Sequence, residues 1–88
     1  MSAETVALLR ERLAVLEPQS LTIEDESHRH AGHAGAKDGG HYKITIVAAA
    51  FAGHNTVRRH RTIYAATGDL MSGRIHAISI RAFSPDEV

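Results

Sequence analysis

Eighty-eight residues suit one domain near the low end of what a single core can hold, and 43% hydrophobic content is too rich for a disordered chain. Ten Lys and Arg balance ten Asp and Glu, while seven His stand against no Cys; that excludes a disulfide scaffold, a thiol nucleophile, a CxxC redox pair, a zinc ribbon and a self-held four-thiolate iron–sulfur cluster. No apolar run approaches the roughly 18 residues of a membrane span, and the N-terminal stretch carries glutamates and no apolar h-region, so the expectation is a soluble, cytoplasmic protein.

Val6, Leu9, Leu13 and Leu16 recur at steps of three and four, which predicts an amphipathic helix over roughly 3–16. Ser2 suits its N-cap, Glu4 its first turn, and Pro18 stops it just after Glu17. Leu21-Thr-Ile23-Glu alternates as a short strand, and Tyr42, Ile44, Ile46 and Ala48 alternate with Lys43, Thr45 and Val47 as a longer one. Between them, Ser27–Gly40 has four glycines and no periodicity, a loop longer than an ordinary hairpin connection. A turn over Phe51–Thr56 leads into a second helix, with Thr56 as its cap and Val57, Ile63, Tyr64, Ala66, Leu70 and Met71 as its apolar side. Gly68 weakens that helix near its end, and Ser72-Gly73 closes it. Ile75–Phe83 reads as a third strand with His76, Ile78, Ile80 and Ala82 on one face, ended by Ser84-Pro85. The order α-β-β-(turn)-α-β predicts a two-layer α+β sandwich of a three-stranded sheet and helices, one domain over 1–88. Helices on one face explain why the strands alternate.

The neutral total hides an asymmetry. Residues 1–27 balance to −4, residues 28–83 to +6, and the last five to −2. A basic surface of this kind admits a nucleic acid or an acidic partner and does not choose between them. The loop holds His28, His30 and His33, with His41 opening the next strand. Histidines on a loop could wrap a divalent ion, although three without a thiolate or a well-placed carboxylate make a weak zinc site, and a solvated polar loop is the plainer reading. His76, at the start of the third strand, is either a half-buried imidazole bonded to backbone or a pre-oriented ligand at the rim. Arg58, Arg59 and Arg61 open the second helix and could grip phosphates, but an exposed helix face carries such residues in any case. His60 between them falls on the apolar side as an interior histidine. There is no nucleophile elbow, P-loop, GxGxxG or HExxH, so the chain does not read as an enzyme.

Leu16-Glu-Pro18, Glu26-Ser27, His30-Ala31-Gly32-His33, His41-Tyr42, Phe51-x-Gly53, Arg59-His60-Arg61-x-Ile63-Tyr64 and Ile75-His76-Ala77-Ile78-x-Ile80 followed by Ser84-Pro85 resemble the BolA family. The likeness runs from about residue 5 to 86. It implies a fold like the class II KH domain, with a mixed three-stranded sheet. It also implies a partnership with a monothiol glutaredoxin, in which the pair shares a 2Fe-2S cluster. The glutaredoxin and glutathione would supply thiolates, and this chain His76 together with His30, or His33 in its place. Bacterial members are described as transcriptional regulators, which implies DNA as the alternative partner through Arg58, Arg59 and Arg61. The KH clamp itself needs a GxxG loop; the corresponding turn here is Gly53-His-Asn-Thr56, so the second glycine is missing. Alone, the chain is expected as a monomer or weak homodimer.

Overall fold

The computed structural model describes residues 2–26, 40–71 and 75–88, apart from the side chains of Ser2, Ala3 and His76. In chain order the main elements are α1 (Ser2–Leu13), β1 (Ser20–Asp25), β2 (Gly40–Val47), α2 (Thr56–Thr67) and β3 (Ile75–Phe83). β1 pairs antiparallel with β2, β2 pairs parallel with β3, and the sheet order is β1-β2-β3. A parallel neighbour cannot be reached by a tight hairpin, so the chain crosses over through α2. This is the expected α+β sandwich with a mixed sheet.

The apolar stripe of α1 does what its spacing predicts. Leu9 and Leu13 are fully buried, with Val6, Leu8 and Leu16 packed beside them. The α-helix ends at Leu13, shorter than expected, and tightens into a 3-10 turn over Ala14–Leu16. Glu17 then takes a left-handed conformation with φ 50° while its N–H donates to the Ala14 carbonyl at 3.0 Å. Pro18 disfavours the right-handed α conformation at the residue before it, so the helix cannot run on through Glu17, and a left-handed residue is a common way for a helix to end. On β2, Tyr42, Ile44 and Ile46 are buried toward the helices, and Lys43 and Thr45 between them are only partly covered. One face is core and the other meets solvent.

α2 departs from expectation in two places. Its N-cap is Asn55, whose Oδ1 accepts from the Arg58 N–H at 2.9 Å, rather than Thr56; an extended Asn places its amide oxygen over the third backbone N–H of the helix. Its core line is Ile63 and Thr67, both fully buried, with Ala66 and Leu70. Val57 is 60% exposed and Tyr64 41% exposed, so neither belongs to the buried side that the apolar pattern assigned them. The buried Thr67 hydroxyl is satisfied by donating to the Ile63 carbonyl at 3.0 Å. After Thr67 the helix passes into a 3-10 turn over Gly68–Met71, in keeping with the expected weakness at Gly68. Beyond β3, Ser84 caps a last 3-10 turn, Pro85–Glu87: its side chain accepts from the Glu87 backbone, and the Glu87 carboxylate accepts from the Ser84 N–H at 2.8 Å.

Candidate functional site: one end of the sheet and the outer side of α2

His28, His30 and His33 lie outside the described residues. The structure does fix where their segment leaves and returns. The Glu26 N–H donates to the His41 carbonyl at 2.8 Å, so the chain departs after Glu26 beside the strand to which it comes back at Gly40. β3 begins at the same end. Gly40 is paired with Ile75, and the next residue of β2, His41, is paired with Ala77. β3 therefore steps two residues where β2 steps one, and His76 is the inserted residue of a bulge.

That bulge corrects the alternation expected for β3. Ile75 is 2% exposed in the core, and Ile78, Ile80 and Ala82 pack against the same core. Ile75 and Ile78 are three residues apart, so the period of two does not run through position 76. Counting back from Ile78 therefore assigns His76 to neither face. The physical reason is the extra residue itself, which resets the face that the following side chains take. Among the described residues no three His, Cys, Asp or Glu gather to hold a metal.

The three arginines of α2 have different fates. Arg59 is a structural clasp: its side chain, 11% exposed, donates from Nε to the His54 carbonyl (2.8 Å) and from Nη1 to the Ala82 carbonyl (2.9 Å). Its two terminal nitrogens also grip the Glu87 carboxylate in a fork at 2.6 and 3.0 Å. The guanidinium, joined by the Ser84 N–H, holds Glu87 down at about 2, and Glu87 in turn raises Arg59. Four of its five N–H donors are engaged within the fold, so its charge is already matched by Glu87. Arg58 and Arg61 are exposed on the outer side of α2 beside Val57 and Thr62, and their guanidiniums have no partner among the described residues. At the other end of the helix, Asp69 pairs with Arg12 of α1 and is lowered by that bond. His60 is not interior as expected: it is half-buried and lines a cleft of about 250 Å³ between α2 and β3, with Thr56 and Ile80. His54 has a buried Nδ1 without a partner among the described residues.

The sequence matches the BolA-like protein family over residues 13–87. The chain belongs to the BolA-like family. Among curated relatives, it is 43% identical over 84 residues to Protein BOLA1, chloroplastic, of Arabidopsis thaliana, covering 90% of this chain and 52% of that one. It is 32% identical over 85 residues to the DNA-binding transcriptional regulator BolA of Escherichia coli, covering 91% and 79%. Against the SufE-like protein 1 of Arabidopsis thaliana it is 42% identical and spans only 24% of that protein's length. The solved BolA domain of SufE1 from Arabidopsis thaliana superimposes with a TM-score of 0.80 at 43% identity, over 91% of both chains. BolA1 from Arabidopsis thaliana gives 0.81 at 38% identity, over 93% of both. These likenesses bear out the family resemblance and the fold. No helix among the described residues is long and apolar enough to cross a membrane.

Proposed function

We propose that this BolA-like chain is a binding module that completes a 2Fe-2S cluster held by a monothiol glutaredoxin and glutathione, in iron–sulfur trafficking or iron regulation. His76 and one loop histidine, His30 or His33, are its ligands. The observation that carries the reading is the bulge at His76, set beside both roots of the histidine-bearing segment. Bulges re-aim a side chain at a strand end, and a ligand brought to another protein's cluster must project beyond its own sheet. The donor set fits the group. A chain without Cys has no thiolate to anchor iron, whereas neutral imidazole completes clusters anchored by thiolates elsewhere. Exchange of thiolate for imidazole raises the reduction potential and makes a ligand protonatable.

The test is anaerobic reconstitution of the cluster on glutathione-loaded monothiol glutaredoxin with and without this protein, followed by visible absorption and circular dichroism. A new spectrum that reverts with His76→Ala supports the reading. A spectrum equal to that of glutaredoxin alone rejects it.

A second reading, a DNA-binding regulator, is favoured by the exposed Arg58 and Arg61 and by the function in the name of the Escherichia coli relative. It predicts promoter binding that falls steeply with salt and is lost on replacing both arginines by Ala. Binding that is absent or independent of salt rejects it.

A further inference from the structure

α1 and α2 touch one another on the same face of the sheet, and Asp69, just after α2, takes the Arg12 guanidinium of α1 at 2.7 Å. Each helix buries one side, α1 through Leu9 and Leu13 and α2 through Ile63 and Thr67. With about 3.6 residues per turn, the side of α1 opposite its core is Ala7 and Glu11, continued by Val15 in the turn that follows. The side of α2 opposite its core is Arg58, Arg61 and Ala65. All six are exposed.

The two strips carry opposite charge. α2 contains no carboxylate, and with Arg59 turned to Glu87 it presents Arg58 and Arg61 outward. They rim a hollow whose other polar side chains are used within the helix: Asn55 caps it, and the Thr62 hydroxyl donates to the Arg58 carbonyl at 3.0 Å. Val57 and Ala65 line the rest. α1 is the converse. Arg10 donates to the Leu21 carbonyl at 3.3 Å and Arg12 to Asp69, so both its cations are engaged with the body of the domain. Glu11 has no partner among the described residues, and Val15 beyond it is 73% exposed. Val15, Val57 and Tyr64, three of the four large hydrophobics exposed among the described residues, all belong to this helical layer.

An acidic strip ending in an apolar residue, beside a basic strip with an apolar floor, is complementary to itself under a two-fold axis. We infer that a second copy of this chain docks helical layer to helical layer, with α1 of each copy on α2 of the other. Glu11 of each copy then meets the outward arginines of the other, and Val15 and Val57 leave water together. A duplex would find two cations around an apolar floor, whereas protein interfaces are built from arginine beside apolar side chains. Two helices ~18 Å long and ~10 Å apart offer less than the roughly 800 Å² per partner of a standard interface, so the pair should dissociate at about 0.1–1 mM. The docking uses neither His76 nor the loop histidines and stands independently of the cluster reading.

The test is sedimentation of the full chain from about 20 µM to about 1 mM, with amide spectra of nitrogen-labelled protein over the same dilution. Association should rise with concentration, weaken in high salt, and move the amides of Ala7, Glu11, Arg61 and Ala65. Glu11→Arg or Arg61→Glu should each weaken it by about tenfold or more with an unchanged thermal midpoint. Mixing the two variants should restore it, because both contacts of the mixed pair again join opposite charges. A chain that stays monomeric at about 1 mM overturns the inference. So do association untouched by either reversal, a mixture no tighter than the single variants, or shifts that map to the sheet. Amides of α2 that move with added duplex DNA but not with concentration overturn it as well.

Discussion

Replacing Ile75 by Ala tests the bulge that sets His76. Ile75 is 2% exposed and opens β3 in the core, paired with Gly40. The change deletes three carbons at about 0.8 kcal/mol each, roughly 2.4 kcal/mol of transfer energy. The void left in a close-packed interior adds to that, for a total of about 3–4 kcal/mol. For a domain of this size each kcal/mol moves the thermal midpoint by about 4–8 °C, so the variant should melt about 12–30 °C lower. Ile75→Val should cost only about 1 kcal/mol. Urea titration followed by far-UV circular dichroism gives the free energies, with an unchanged slope as the sign that both states keep their extent. A loss below about 1 kcal/mol for Ile75→Ala would refute the reasoning, because the outward position of an uninterrupted alternation is the one that tolerates truncation.

Other consequences are as direct. The Glu87 carboxyl is held at about 2 against an ordinary 4.5, so its bond to Arg59 contributes stability that is fully present above pH 4.5 and is lost as the pH falls toward 2; Arg59→Ala should lower the urea midpoint at pH 7 and flatten that part of its acid dependence. Asp69, lowered by Arg12, adds a loss of the same sign on acidification that Arg12→Ala should remove, leaving the Glu87 contribution in place. Gly53 has φ +76° with nothing within 4 Å of the point where a methyl group would stand, so Gly53→Ala should cost about 1 kcal/mol by backbone strain alone, read from the same titration. Asn55→Ala removes the cap of α2 and should cost about 1 kcal/mol, whereas Thr56→Ala, the change at the position the pattern favoured, should cost less.

The elements were legible in the sequence because each carries its own period. The α1 stripe through Leu9 and Leu13, the alternation of Tyr42, Ile44 and Ile46, and the bounds of β3 all follow from side-chain repeats that a buried face enforces. The bulge was readable in principle, since Ile75 and Ile78 are both apolar at a step of three, but alternation from Ile78 backward hid it. The cap of the last turn was readable too: Ser84-Pro-Asp-Glu87 is the S-x-x-E pattern of a capping box. Other features depend on tertiary neighbours and leave no local trace. Nothing near Arg59 in sequence announces Glu87, 28 residues on, so the middle arginine of a basic cluster looked as free as Arg58 and Arg61. Val57 and Tyr64 look like core by hydropathy; only the seat of α2 on Ile63 and Thr67 shows that they face outward. The loop histidines His30 and His33 stand out by type and by family resemblance, and they lie outside the described residues.

Nitrogen ligation by this chain is tested most directly by pulsed electron paramagnetic resonance on the reduced cluster of the glutaredoxin complex, with the protein labelled at its histidines. Strong couplings to imidazole nitrogen should be present in the complex, and the His76 coupling should vanish in His76→Ala while the fold, followed by circular dichroism, stays intact. A reduced cluster without histidine nitrogen coupling, or with couplings unchanged by His76→Ala, would contradict a ligand role for His76.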